Sequence, residues 1–72
     1  MPIIIRPTGS LKRFIAPDTV LESAYSVGDA IEQLSLPEEI GLVMLVNERI
    51  ANWNTPLADG DTLQLIPTIA GG

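Results

Sequence analysis

The chain has 72 residues, a net charge of −5 at pH 7 and 46% apolar residues, with neither cysteine nor histidine. A chain of this length makes one domain, residues 1–72, that buries only about 60% of the surface its unfolded form exposes, without a disulfide to staple it. Only Arg6, Lys12, Arg13 and Arg49 are basic, which excludes a phosphate-neutralising stripe and argues against nucleic acid; the missing Cys and His remove the commonest nucleophile, general base and metal ligand. No run approaches the roughly 20 apolar residues of a membrane span. The apolar start Met1-Pro2-Ile3-Ile4-Ile5 is cut off by Arg6 and Pro7 before it can act as a signal peptide. A cytoplasmic location is therefore expected. The acidic surface suits solubility or a basic partner about equally.

Taken in chain order, Ile3-Ile4-Ile5 is β-branched and reads as a first strand. Pro7-Thr8-Gly9-Ser10 carries turn chemistry, and Leu11 to Ile15 reads as a second strand completing an opening hairpin. Pro17 and Asp18 break the chain before a short apolar stretch at Val20-Leu21. Ser26 is placed to cap a helix, with Asp29 three residues on to complete a weak capping box. Val27, Ala30, Ile31 and Leu34 fall on one helical face. Pro37 should end the pattern, giving a helix of only about 10 residues that must pack on something to be stable.

Gly41 to Val46 is a nearly continuous apolar run and predicts a strand with both faces occupied. Asn47-Glu48-Arg49 turns into a short partner strand at Ile50-Ala51. After the turn cluster Pro56 to Asp61, the last strand runs over Thr62-Leu63-Gln64-Leu65-Ile66, with Leu63 and Leu65 inward and Thr62, Gln64 and Ile66 outward. Residues 67–72 follow as a flexible tail ending in Gly71-Gly72. Strands gathered around one helix predict an α+β fold, a mixed sheet of four to five strands with the main helix across one face.

In a chain without Cys or His, the first candidate for a reacting group is the α-carboxylate of Gly72. It sits on two residues without side chains that can be threaded into another protein's active site. Asp59-Gly60-Asp61 has the oxygens for a metal but no further ligands at EF-hand spacing, and reads as a tight turn with Gly60 at positive φ. Glu38-Glu39, after Pro37, reads as a solvated loop rather than a catalytic pair. The four basic residues read as solvated surface, and Trp53 as core packing. Nothing in the chain can hold a triphosphate: Gly9 and Gly28 are isolated, with no Walker-type lysine.

The segment Leu57-Ala58-Asp59-Gly60-Asp61, the apolar strand after it, Pro67 and the terminal Gly71-Gly72 together resemble the C-terminal signature of the MoaD/ThiS sulfur-carrier family. Val46-Asn47-Glu48 resembles that family's V-N-x turn. The resemblance implies a ubiquitin-like β-grasp fold and a non-catalytic carrier, a co-substrate rather than an enzyme. It implies that a ubiquitin-activating-type adenylyltransferase, using ATP and Mg, adenylates Gly72, and that sulfur then replaces AMP to give a thiocarboxylate. Ala70 and Gly71 would enter the partner's channel with Gly72. Ile50 and Ile66, matching apolar positions of relatives, would dock on the partner; closing the core edge is the plainer reading of both. The chain itself would bind no cofactor.

The closest branch by motif is MoaD-like, with delivery to a molybdopterin synthase large subunit. A ThiS-like carrier serving thiazole synthase is the runner-up. A modifier joined through Gly72 to lysines, and an inert β-grasp interaction module, are the other readings. Glu48 stands where relatives often have glycine, and Thr68 follows Pro67 where the MoaD branch commonly has a second proline.

Overall fold

The computed structural model describes residues 2–36 and 41–68. Its elements are β1 (Ile3–Pro7), a 3-10 helix (Gly9–Arg13), β2 (Thr19–Leu21), α1 (Val27–Leu34), β3 (Leu42–Val46), β4 (Arg49–Ala51) and β5 (Thr62–Pro67). The five strands form one sheet in the order β2-β1-β5-β3-β4. β1 and β5 pair in parallel, and the other neighbours are antiparallel. This mixed sheet packed against one helix is the β-grasp fold.

Alternation along each strand places one set of side chains under α1. Ile3 and Ile5 of β1, Met44 of β3, and Leu63 and Leu65 of β5 are buried with Val27, Ala30 and Ile31 of the helix. Leu63 and Leu65 are both fully covered, as the period-two reading of β5 requires. The helix begins where expected. The Ser26 hydroxyl accepts the Asp29 N–H at 3.2 Å, while the Asp29 carboxylate reaches the N–H of Tyr25 at 3.0 Å, one residue earlier than in a capping box. The remaining helix-start donors go to the loop before β5: Val27 N–H to Thr55 C=O and Gly28 N–H to Trp53 C=O, each at 2.9 Å. Three donors that an isolated helix would leave unsatisfied are thus paired.

Four expectations are corrected. Leu11 to Ile15 is not a strand: Gly9–Arg13 is a 3-10 helix, entered through Gly9 at φ 54°. Leu11 and Ile15 are buried while Lys12, Arg13 and Phe14 between them are exposed, a spacing of four that suits a helical turn and not a pleat. The Phe14 and Ile15 N–H groups both donate to Leu11 C=O at 3.0 Å. The hairpin partner of β1 is instead β2, with Ile4 opposite Val20.

The helix stops at Leu34, short of Pro37, because Ser35 turns left-handed at φ 54°, ψ 43°. β3 does not have both faces occupied, since Val43 is exposed on the face away from the helix. Trp53 is 52% exposed and lies outside the core, its ring near Gly28 at the start of α1. Pro37, Glu38 and Glu39 lie outside the described residues. No described helix is long and apolar enough to cross a membrane.

Candidate functional site

The expected reacting group and its approach, Ala70, Gly71 and Gly72, lie outside the described residues. The structure instead defines what leads to them. β5 is the central strand of five, so the segment that ends in Gly71-Gly72 issues from the best-supported strand of the domain. It runs one residue further than expected, through Pro67, and Thr68 still donates its N–H to Gly41 C=O at 2.9 Å. The first two residues of the expected tail are therefore tied to the sheet. On the other flank, Thr8 gives both its N–H and its hydroxyl to Leu65 C=O, each at 3.0 Å.

The start of β5 is fixed by a polar clamp from the turn between β3 and β4. Asn47 and Glu48 both have positive φ, 50° and 71°, as a two-residue type I′ hairpin loop requires. The Asn47 side chain donates to Asp61 Oδ1 at 2.8 Å and accepts the Thr62 N–H at 3.0 Å. The other oxygen of Asp61 accepts the Ala58 N–H at 2.8 Å. These bonds to the ionised form, the Ala58 N–H foremost and then the Asn47 amide, hold the Asp61 carboxyl below its ordinary value. Asp59-Gly60 is the expected tight turn, with Gly60 at φ 88°.

Ile50 and Ile66 share the sheet face opposite α1. Ile50 pairs with Leu45, which pairs with Gln64, which pairs with Arg6, forming one row across four strands. Ile66 stands opposite Val43 in the next row toward the tail. Ile50 is 84% exposed and Val43 is 36% exposed, while Ile66 and Leu45 are half-buried. Val20 on β2 is exposed on the same face, beside Ile4. The face thus carries an apolar field larger than the two residues singled out from sequence. Val43 and Leu45 were missed because five consecutive apolar residues hide the period of β3; the alternation of β4 and β5 on either side reveals it. Arg6, Lys12, Arg13 and Arg49 are all exposed, in keeping with solvated surface.

No curated protein matches the chain at a significant level. Among solved structures, SAMP1 from Haloferax volcanii superposes with TM-score 0.72 at 20% identity over 100% of both chains. Urm1 from Trypanosoma brucei gives 0.76 at 21% identity, over 99% of this chain and 95% of that one. These two likenesses bear out the fold. The complex of subunits 1 and 2 of molybdopterin-converting factor from Helicobacter pylori 26695 matches with TM-score 0.70 at 25% identity over 100% of both chains. The ThiS family model matches residues 9–72, most of the sequence and all of the elements after β1; with that match and the β-grasp sheet, this chain belongs to the ThiS family of small, non-catalytic ubiquitin-like carriers.

Proposed function

We propose that this protein is a sulfur carrier whose Gly72 carboxylate is activated by a ubiquitin-activating-type adenylyltransferase and whose thiocarboxylate supplies sulfur for molybdopterin synthesis. A carboxylate is a poor electrophile. Attack of a Gly72 carboxylate oxygen on the α-phosphorus of ATP, with release of pyrophosphate, makes a mixed anhydride. A sulfur nucleophile then displaces AMP, splitting one hard step into two easier ones. ATP and Mg belong to the activating enzyme in this scheme; the carrier contributes its terminus and a surface for docking. That surface is the face holding Ile50, Val43, Leu45 and Ile66, and Ala70-Gly71-Gly72 is the segment inserted into the partner.

The observation that carries the reading is the joining of three features on one strand. β5 is central, its outward residue Ile66 lies on the exposed apolar face, and the same strand leads to Gly71-Gly72. Docking of the face would therefore bring the end of β5, from which the sequence runs on to Gly72, to a fixed place on the partner. The molybdopterin branch is favoured by the Leu57 to Asp61 turn and by Pro67, and by the likeness to the Helicobacter pylori complex, where a protein of this shape assembles with a second subunit.

The test is ATP–pyrophosphate exchange with the cognate activating enzyme, followed by intact-mass measurement after supply of sulfur. Wild type should gain the mass of one sulfur in exchange for one oxygen and transfer it to the molybdopterin synthase large subunit. Deletion of Gly72 should abolish exchange while leaving the thermal unfolding midpoint unchanged. Undiminished exchange by the deletion defeats the proposal. Transfer to thiazole synthase alone would move the protein to the thiamin branch, and Gly-Gly remnants on the lysines of other proteins would make it a modifier.

A further inference from the structure

On the sheet face opposite α1, the strands carry a single charged side chain. Two strand residues are charged, Arg6 and Arg49. Arg49 pairs with Val46 on the side packed against the core, whereas Arg6 stands between buried Ile5 and Pro7 and points the other way. It ends the row Ile50–Leu45–Gln64–Arg6, three strand spacings or about 14 Å from Ile50. A standard interface covers about 800 Å² on each partner and is about 30 Å across. A protein seated on Val43, Leu45, Ile50 and Ile66 therefore covers Arg6 as well.

Arg6, Asn47, Glu48, Thr62 and Gln64 line a recess of about 360 Å³ in this face. The Asn47 amide is already committed to Asp61 and Thr62. Among the described residues, neither the Arg6 guanidinium nor the Gln64 amide has a hydrogen-bond or ion-pair partner, and Glu48 is not paired with Arg6. On its other flank Arg6 borders a depression shared with Lys12 and Asp18, one charge of each sign. In the free chain these donors are left to solvent. Under a docked protein that solvent is lost, and a charge buried without a partner opposes docking strongly.

We infer that the recess receives a carboxylate side chain of the activating enzyme, which accepts from the Arg6 guanidinium and the Gln64 amide, and that Arg6 thereby selects the proteins this face can bind. This rests on the function proposed above. The planar fork of an arginine matches a carboxylate through two parallel N–H···O bonds. A singly charged carboxylate also suits a recess that has Glu48 on its wall. The apolar neighbours supply contact area and the ion pair supplies selectivity, since a partner with a similar apolar patch but a cation at this place is repelled.

The experiment uses the full chain as wild type, Arg6→Gln, Arg6→Glu, Glu48→Gln and Arg13→Glu. Kd for the activating enzyme is measured by calorimetry without ATP at about 0.05 M and about 0.5 M NaCl, alongside kcat for ATP–pyrophosphate exchange and the thermal unfolding midpoint. At low salt Arg6→Gln should weaken binding about tenfold and Arg6→Glu about 100-fold, with the difference between them shrinking at high salt. The midpoint and kcat should stay at wild-type values, because Arg6 is exposed and residues 67–72 are unchanged. Arg13→Glu makes the same charge change at an exposed residue that lines neither depression, and should bind within about twofold of wild type. Glu48→Gln should bind at least as tightly as wild type. Replacing the surface acids of the enzyme by arginine one at a time should find one that restores binding to Arg6→Glu. Wild-type affinity in Arg6→Glu, equal losses in Arg6→Glu and Arg13→Glu, or the lack of any restoring acid each overturns the inference. A loss in Glu48→Gln as large as that in Arg6→Gln also overturns it, because Arg6 would then be neutralised from within the chain. A wild type that the enzyme neither binds nor adenylates defeats the function proposed above and this inference with it, whereas normal exchange with affinity indifferent to Arg6→Glu removes the inference alone.

Discussion

Asn47 and Glu48 form a two-residue loop with both residues left-handed, yet they meet that demand differently. Asn tolerates this region and here uses its side chain to tie the start of β5, donating to Asp61 and accepting from Thr62. Glu48, at φ 71°, has no such compensation among its described contacts, and a Cβ in this region costs roughly 1–2 kcal/mol. Glycine removes that cost but loses more entropy on folding, roughly 0.5–1 kcal/mol. Glu48→Gly should therefore stabilise the domain by about 0.5–1 kcal/mol, raising the unfolding midpoint by about 2–8 °C. An unchanged or lowered midpoint in a calorimetric scan would show that the loop carries no such strain.

The same clamp makes an acid-sensitive bond. Asp61 is held below its ordinary value by the Ala58 N–H and the Asn47 amide. A carboxyl with a depressed folded-state value contributes stability that is complete above its unfolded value, near pH 4, and is lost as pH falls through the folded one. Asp61→Asn keeps the shape and removes the titration. Wild type should be the more stable protein at neutral pH, and the gap between their urea midpoints should close as pH drops from about 5 to about 2. Parallel midpoint curves over that range would mean the carboxylate adds nothing its amide does not.

At the scale of elements, what could be read in advance followed the clarity of the period. β5 alternates without interruption, so its inward and outward sets, Ile66 included, are visible in the sequence. α1 carries Val27, Ala30 and Ile31 at helical spacing behind a serine cap, and all three are buried. The segment around Leu11 failed because a single helical turn and a short strand look alike over five residues; only the burial of Leu11 and Ile15 with exposed residues between separates them. β2 is three residues long, too short for any pattern to show. Its existence depends on β1 needing a partner on its outer edge. Trp53 was misplaced for a related reason. A lone tryptophan near a loop suggests burial, but the main chain at that residue is already committed to the Gly28 N–H, and its ring stays at the surface beside the helix start. Of the candidate site, the outward face of Ile66 and the strand that leads toward the tail were legible; the Thr68–Gly41 tie was not, because it depends on a contact between residues 27 positions apart.

For the molecule as a whole, the sheet separates two tasks by face. The side under α1 is closed by the core. The other side leaves Ile50 and Val43 exposed beside half-buried Leu45 and Ile66, with Val20 set apart from them by Thr62, Gln64 and Arg6; singly exposed apolar residues need no explanation, whereas a patch of neighbours such as the first four does. Ile50 sits at its rim on an edge strand, 84% exposed, so its removal has little to cost the fold. Ile50→Thr keeps a β-branched side chain suited to a strand and removes much of the apolar area. Stability should stay within about 0.5 kcal/mol of wild type. If this face meets the activating enzyme, losing about 1–2 kcal/mol of burial raises KM about 5–30-fold, with kcat at saturation preserved because residues 67–72 are unchanged. Loss of kcat with unchanged KM would place Ile50 in the presentation of the terminus instead of docking. Unchanged kinetics would remove the apolar face from the reaction and leave the central strand alone to account for how Gly72 is delivered.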